Sequence, residues 1–172
     1  MMDENEGGKI SEIIGFIFAK VTQQDVGNIS EFLKTKVRQD LIEAGFATHK
    51  IDKALSWLDD LFKQQLDSLL NKFQTSNYAY KCHGAMRCFS PEECIKLTKE
   101  VRGVIWRLER DGVLNTATRE ILINQLMRLD ETPVLLNDFY WVAYVVAFSR
   151  PDKRPTQEEI RVLKELLVEI HG

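Results

Sequence analysis

Ten consecutive apolar or aromatic side chains, Phe139–Phe148 (FYWVAYVVAF), constrain this sequence more than any other feature. The run is half of the ~20 residues that a membrane-crossing helix requires. A helix that is apolar on every face must be covered by other elements in water, so the run is expected to be a buried core helix. The 172 residues supply enough chain for one compact domain or two small ones. A composition of 44% hydrophobic and 28% charged residues is neither that of a disordered chain nor that of a fibrous one. The net charge of −3 provides no global attraction to nucleic acid or anionic lipid.

Compartment follows from the ends and the thiols. Met1–Gly8 (MMDENEGG) is acidic, lacks the charged-then-apolar pattern of a signal peptide, and is expected to be a disordered tail over residues 1–8. Asn28-Ile29-Ser30 matches a glycosylation triplet, but without a secretory signal it reads as the opening of a helix. Cys82, Cys88 and Cys94 are odd in number and would leave one thiol unpaired in an oxidising compartment. A cytoplasmic protein without a membrane partner is expected.

Helical periodicity dominates the chain. Ile10, Ile13, Ile14, Ile17 and Val21 form a first stripe, and Phe32, Leu33, Val37 and Leu41 a second over about residues 29–44. Gly45 stands where a helix C-cap belongs. Thr48 is expected to cap a third helix carrying Ile51, Leu55, Leu58, Phe62, Leu66 and Leu69 as far as Phe73. Ser90-Pro91-Glu92-Glu93 is a capping box with proline at the first helical position. It should start one helix through Leu97, Val101, Val104, Ile105 and Leu108, closed by Asp111-Gly112. Asn115 or Thr116 opens the next helix, with Ile121, Leu122, Leu126 and Leu129 facing inward, and Asn137 is expected to cap the apolar run. Thr156–Glu159 is a second capping box, leading into Ile160, Leu163, Leu167 and Ile170. The expected fold class is therefore mainly α, with about seven helices.

One stretch departs from this pattern. Tyr78–Cys82 alternates aromatic with small or polar residues, His83-Gly84-Ala85 makes a turn, and Met86–Phe89 follows as a second extended piece, so a short β-hairpin is expected within residues 71–89. The order helix, helix, glycine turn, helix, hairpin is that of a winged helix. Residues 9–90 then form a three-helix, winged-helix-like half, and residues 91–172 a four-helix half.

Several of these residues match a known family. Phe89–Asp152 resembles the bacterial Smg family through Ser90-Pro91-Glu92-Glu93-Cys94, Arg102-Gly103, Val113-Leu114-Asn115, Thr118-Arg119-Glu120, Leu129-Asp130, Trp141-Val142 and Phe148. The first half agrees through Ala44-Gly45-Phe46 and through Ala54-Leu55 followed by Trp57-Leu58. The resemblance implies a small bacterial cytoplasmic protein. The family has no settled activity, so it supplies no catalytic residues.

Chemistry-bearing groupings are few. Cys82, His83, Cys88 and Cys94 lie within thirteen residues, but gaps of five do not match the short loops that bring two thiolates to one zinc ion. Unpaired thiols are the simpler account, and no metal or cofactor is expected. His49, His83 and His171 stand in no triad context, and neither a phosphate-binding glycine loop nor a nucleophile elbow is present, so no enzymatic activity is expected. For nucleic acid, the candidates are Lys50, Lys53, Lys81 and Arg87. Residues 29–90 carry nine basic and seven acidic side chains, the one stretch with a positive balance. The helix from Thr48 to Phe62 nevertheless sets Lys50 and Lys53 against Asp52, Asp59 and Asp60, a poor stripe for a phosphate-lined groove. For a protein partner, the candidates are Trp106, Asn115 and Arg119. Trp57, Trp106 and Trp141 read first as core or half-buried anchors, and Trp106, one step off its helix's apolar stripe, is the best candidate for an exposed aromatic contact. Asn115 reads first as a cap. The leading expectation is a protein-interaction or regulatory module, with a nucleic-acid-binding winged helix as the alternative.

Overall fold

The computed structural model describes residues 8–23, 37–74, 87–151 and 156–171. Among them are eight helices and no strand. These are α1 (Ile10–Gln23), α2 (Arg38–Glu43), α3 (Thr48–Gln74), α4 (Pro91–Lys96), α5 (Lys99–Arg110), α6 (Thr116–Met127), α7 (Leu136–Phe148) and α8 (Gln157–His171).

The apolar run forms α7, and it sits where its composition requires. α1, α5, α6 and α8 all pack against it, α3 fills the space beside α1 and α6, and α2 rests on α3. Phe139, Tyr140, Val142, Ala143, Val145, Val146 and Ala147 are buried. They share one continuous core with Ile13, Ile14 and Ile17 of α1, Ile51, Trp57 and Leu61 of α3, and Ile105, Leu122 and Leu163 of later helices. No described helix is long and apolar enough to cross a membrane.

Local chemistry sets most helix ends. In the Ser90 box, Glu93 N donates to Ser90 Oγ at 3.2 Å and Ser90 N donates to Glu93 Oε2 at 2.8 Å. In the Thr156 box the same pair of bonds measures 3.2 and 2.7 Å. Gly45 and Gly112 have φ of +90° and +76°, where a side chain would be strained. Each closes its helix with the paired bonds of a Schellman turn: Phe46 N to Leu41 O and Gly45 N to Ile42 O, then Val113 N to Leu108 O and Gly112 N to Glu109 O.

Four expectations need correction. The helix started by Ser90 is not continuous. Leu97 turns extended, is fully buried and bridges Val134, while Thr98 Oγ1 accepts from Val101 N at 3.3 Å and opens α5 as a new helix. Asn137 does not cap α7. The helix starts at Leu136, because Asp138 Oδ2 accepts from Leu135 N at 3.2 Å. Thr48 lies inside α3, since Ile51 N donates to Ala47 O at 3.0 Å. Finally, the winged-helix layout is not supported. Residues 75–86 of the expected hairpin lie outside the described residues, and Arg87–Ser90, where its second strand should end, runs without regular structure into α4.

α1 packs closely on α7. A Cβ on Gly15 would lie 2.8 Å from Trp141 Cδ2, so α1 presents bare backbone to the indole. Beside it Asp138, 1% exposed, accepts from Ser11 Oγ at 2.7 Å and has Lys9 Nζ at 3.7 Å. The buried carboxylate is thus hydrogen-bonded, paired and set at a helix N-terminus, which satisfies its charge.

Candidate functional site

The densest polar arrangement lies where the strap Arg87–Ser90 crosses α4, α5 and α6. Arg87 donates from Nη1 and Nη2 to the two oxygens of Glu93, at 2.8 and 2.7 Å, and from Nε to Glu120 Oε1 at 2.8 Å. Glu120 also accepts from Arg119 Nε at 2.9 Å, and Arg119 continues to Glu109. The chain of charges Glu93, Arg87, Glu120, Arg119, Glu109 ties three helices together. Arg87 holds the Glu93 carboxyl below the usual carboxylate range, with burial opposing it. Burial pushes Glu120 up, but Arg87 and Arg119 outweigh it and its net shift is downward. Arg87 is itself raised further into the charged state, chiefly by its bond to Glu93.

The strap also positions an aromatic ring. Trp106 Nε1 donates to the Arg87 carbonyl at 3.2 Å, and its ring lies 5.6 Å from that of Phe89, over which the Arg87 guanidinium sits at 5.2 Å. Trp106 remains 38% exposed. Below it, Arg102 Nη1 donates to Cys94 O at 2.9 Å and Leu97 O at 3.3 Å, closing the C-terminus of α4. Lys96 does the same for α6, donating to Met127 O at 2.8 Å and to Leu129 O. Burial depresses the Lys96 ammonium, with Glu131 and Asp130 pulling the other way.

The candidate residues divide into two groups. Arg87, Trp106 and Arg119 come together on this surface, with Asn115 at the start of α6. Asn115 Oδ1 accepts from Thr118 N at 2.9 Å and so acts as the N-cap. Arg119 is 7% exposed and engaged on both sides. Lys50 and Lys53 lie instead at the start of α3. Lys50 Nζ donates to Gly8 O at 2.8 Å and Lys53 Nζ to Asp130 Oδ2 at 2.6 Å. Lys81, Cys82 and His83 lie outside the described residues. Cys88 and Cys94 are exposed and unbridged. Among the described residues no group of three His, Cys, Asp or Glu side chains is placed to hold a metal.

Of the two partners of Arg87, Glu120 belongs with Asn115, Thr118 and Arg119 to a polar cluster visible in the sequence, and Glu93 to the capping box. Nothing in the local sequence pairs either carboxylate with Arg87. A shallow groove of about 280 Å³ between α5 and α8 was also unforeseen. Arg107, Asp111, Glu158, Arg161 and Glu165 line it, and Arg161 is paired with both Glu158 and Glu165. The charges alternate along it, and the Arg161 guanidinium holds the Glu158 carboxyl below the usual carboxylate range. Chemically, the strap surface offers a fixed, half-exposed indole above a saturated ionic network.

A family model described as a protein of unknown function (DUF494) matches residues 10–171. A Smg homologue from Shewanella woodyi is 34% identical over 157 residues, covering 88% of this chain and 92% of the relative. Smg homologues from Aeromonas hydrophila and Methylococcus capsulatus are 30% and 31% identical; the alignments cover 88% and 84% of this chain, and 92% and 84% of those relatives. No solved structure gives a significant match.

Proposed function

The chain belongs to the DUF494 family, whose curated relatives here are Smg homologues, and from that premise we propose that it is a protein-interaction or regulatory module acting by binding, without chemistry of its own. One observation carries this reading. Trp106 is 38% exposed, yet its N–H is bonded and its ring is packed on Phe89. An indole held in place before a partner arrives loses little freedom on binding, and tryptophan is among the side chains that dominate interface energetics. In this reading the module works in the cytoplasm, with Trp106 as its contact residue and Asn115 and Arg119 as supports that hold α6 in position.

The nucleic-acid alternative draws less support. Arg87, one of its four candidates, spends its guanidinium on two carboxylates, and Lys53 is paired with Asp130. Affinity purification of the tagged full-length chain from its own host separates the two. Recovery of a defined protein with the native chain, falling at least about fivefold with Trp106→Ala while the thermal midpoint holds, is the expected result. Recovery of nucleic acid that disappears with Lys50→Ala/Lys53→Ala, or no co-purifying macromolecule together with turnover of a small substrate, would overturn it.

A further inference from the structure

We propose that the outward stripe of α5, formed by Lys99, Gly103, Trp106 and Arg110, seats an acidic helical segment of the partner protein. The proposal rests on the binding-module reading and adds the face and the chemistry of what it binds. The four residues are spaced by four, three and four, which places them on one face, and all four are exposed. The opposite face of α5, Val101, Ile105 and Leu108, is fully buried.

Gly103 is the telling residue. After proline, glycine is the poorest helix former, so its place in the middle of a helix calls for a reason. Its φ is not in the positive region that requires glycine, in contrast to Gly45 and Gly112. A Cβ added there would meet no heavy atom of the described residues within 4 Å, in contrast to Gly15. Neither backbone conformation nor packing within the described fold accounts for it. On a surface, glycine permits the close approach of another backbone, and that is the use assigned to it here. Trp106, one turn further on and oriented by the strap, stands beside that approach as a ready anchor.

Charge selects the occupant. α5 carries four basic and two acidic residues within a chain of net charge −3. One of the two acids, Glu109, is engaged by the nearly buried Arg119. Arg110, with a side chain 74% exposed, pairs among the described residues with its neighbour Asp111, a weak surface competitor. A second copy of this chain docking through the same face would bring the same basic stripe and repel. A carboxylate-rich helix complements Lys99 and Arg110 at the two ends while its backbone crosses at Gly103.

The test is an NMR titration of the isotope-labelled full chain. The probe is a synthetic amphipathic peptide of about 16 residues, with glutamates along one side and a leucine and alanine stripe on the other, enough to form several helical turns. A counterpart with lysine for glutamate and a short DNA duplex are titrated in parallel. The acidic peptide is expected to shift amides of residues 87–90 and 99–110, with affinity falling several-fold between low and physiological salt. Gly103→Leu and Trp106→Ala should each weaken binding about tenfold or more, and the melting temperature of Gly103→Leu should not fall, because no heavy atom of the described residues lies within 4 Å of the new Cβ. Absence of shifts with the acidic peptide, equal shifts with the basic one, or shifts driven by DNA would overturn the proposal. If the acidic peptide fails while Trp106→Ala still loses its co-purified protein, the acidic-helix inference is wrong and the module reading survives. If both fail, both fall.

Discussion

Two glycine-to-alanine substitutions offer the sharpest check on the packing described above, because the same chemical change should have opposite signs. In an ordinary helix, Gly→Ala stabilises by about 0.8–1 kcal/mol through lower backbone entropy in the unfolded chain and better helix propensity. Gly103→Ala should show this gain in full, since nothing among the described residues lies within 4 Å of the new methyl group. Gly15→Ala meets Trp141 Cδ2 at 2.8 Å and Cε2 and Cε3 at 3.0 Å. Carbon atoms rest about 3.5–4.0 Å apart, so the indole would have to retreat by roughly 0.7 Å. These are ring-fusion atoms and their neighbours, and the whole ring must lift. Tyr140, 5.3 Å away in a T-shaped contact, and the α1–α7 interface resist that movement. Overpacking of this kind costs about 1–3 kcal/mol, which exceeds the propensity gain.

The expected net effect is therefore a loss of about 1 kcal/mol for Gly15→Ala and a gain of similar size for Gly103→Ala. For a chain of this length each corresponds to roughly 2–4 °C in melting temperature, readable by circular dichroism or calorimetry. A double-mutant cycle isolates the cause. In a Trp141→Ala background the clash disappears, and Gly15→Ala should turn stabilising by about 1 kcal/mol. A Gly15→Ala protein as stable as the parent or more so would refute the argued packing of α1 on α7. So would an unchanged effect in the Trp141→Ala background.

Three further outcomes follow from buried and half-buried polar groups. Glu159→Ala leaves Arg150, 8% exposed, without its bidentate partner and removes the Thr156 box, so denaturant melts should show a loss of about 3–5 kcal/mol. Gln125 is fully buried and its amide has no hydrogen-bond partner among the described residues, so Gln125→Met, similar in shape, should raise the denaturation midpoint by the equivalent of about 1–2 kcal/mol. Arg87→Met should be less stable than the parent at neutral pH. Because the Glu93 and Glu120 carboxyls are depressed below their ordinary 4.5, their stabilising contribution is complete above that value and lost as pH falls through the lower folded values. The gap between the two melting curves should therefore close as the solution is acidified below about pH 4, and a gap that stays constant would count against the pairing.

What the sequence disclosed follows the range of the interactions concerned. The Ser90 and Thr156 boxes, the Asn115 cap and the two glycine turns are settled within five residues, and each stands where its local pattern places it. The central position of α7 was legible as well, because a helix apolar on every face has one stable environment. The break at Leu97–Thr98 was not. Continuing the helix and pairing Leu97 with Val134 are both compatible with the local residues, and the choice falls to a segment far along the chain. Asp138 is similar: it lies 127 residues from the serine that satisfies it, so Asn137 next to it looked the better cap. The expected winged-helix layout came from the order of elements alone, and that order does not specify how they pack.

Arg87 shows most plainly why a site resists reading from composition. Counting charges makes it a free cation in the one basic stretch of the chain. In the fold its guanidinium meets Glu93 six residues away and Glu120 thirty-three residues away, and its positive charge is cancelled. Yet the residue remains important to the surface through its carbonyl, which orients Trp106. The two roles depend on each other. Without the ionic anchor the strap would not be held against α4 and α6, and without the strap the indole would lose its acceptor. The residue that charge counting assigned to phosphate recognition therefore serves to orient an exposed indole, while Lys99 and Arg110 lie exposed on the same face of α5 as that ring.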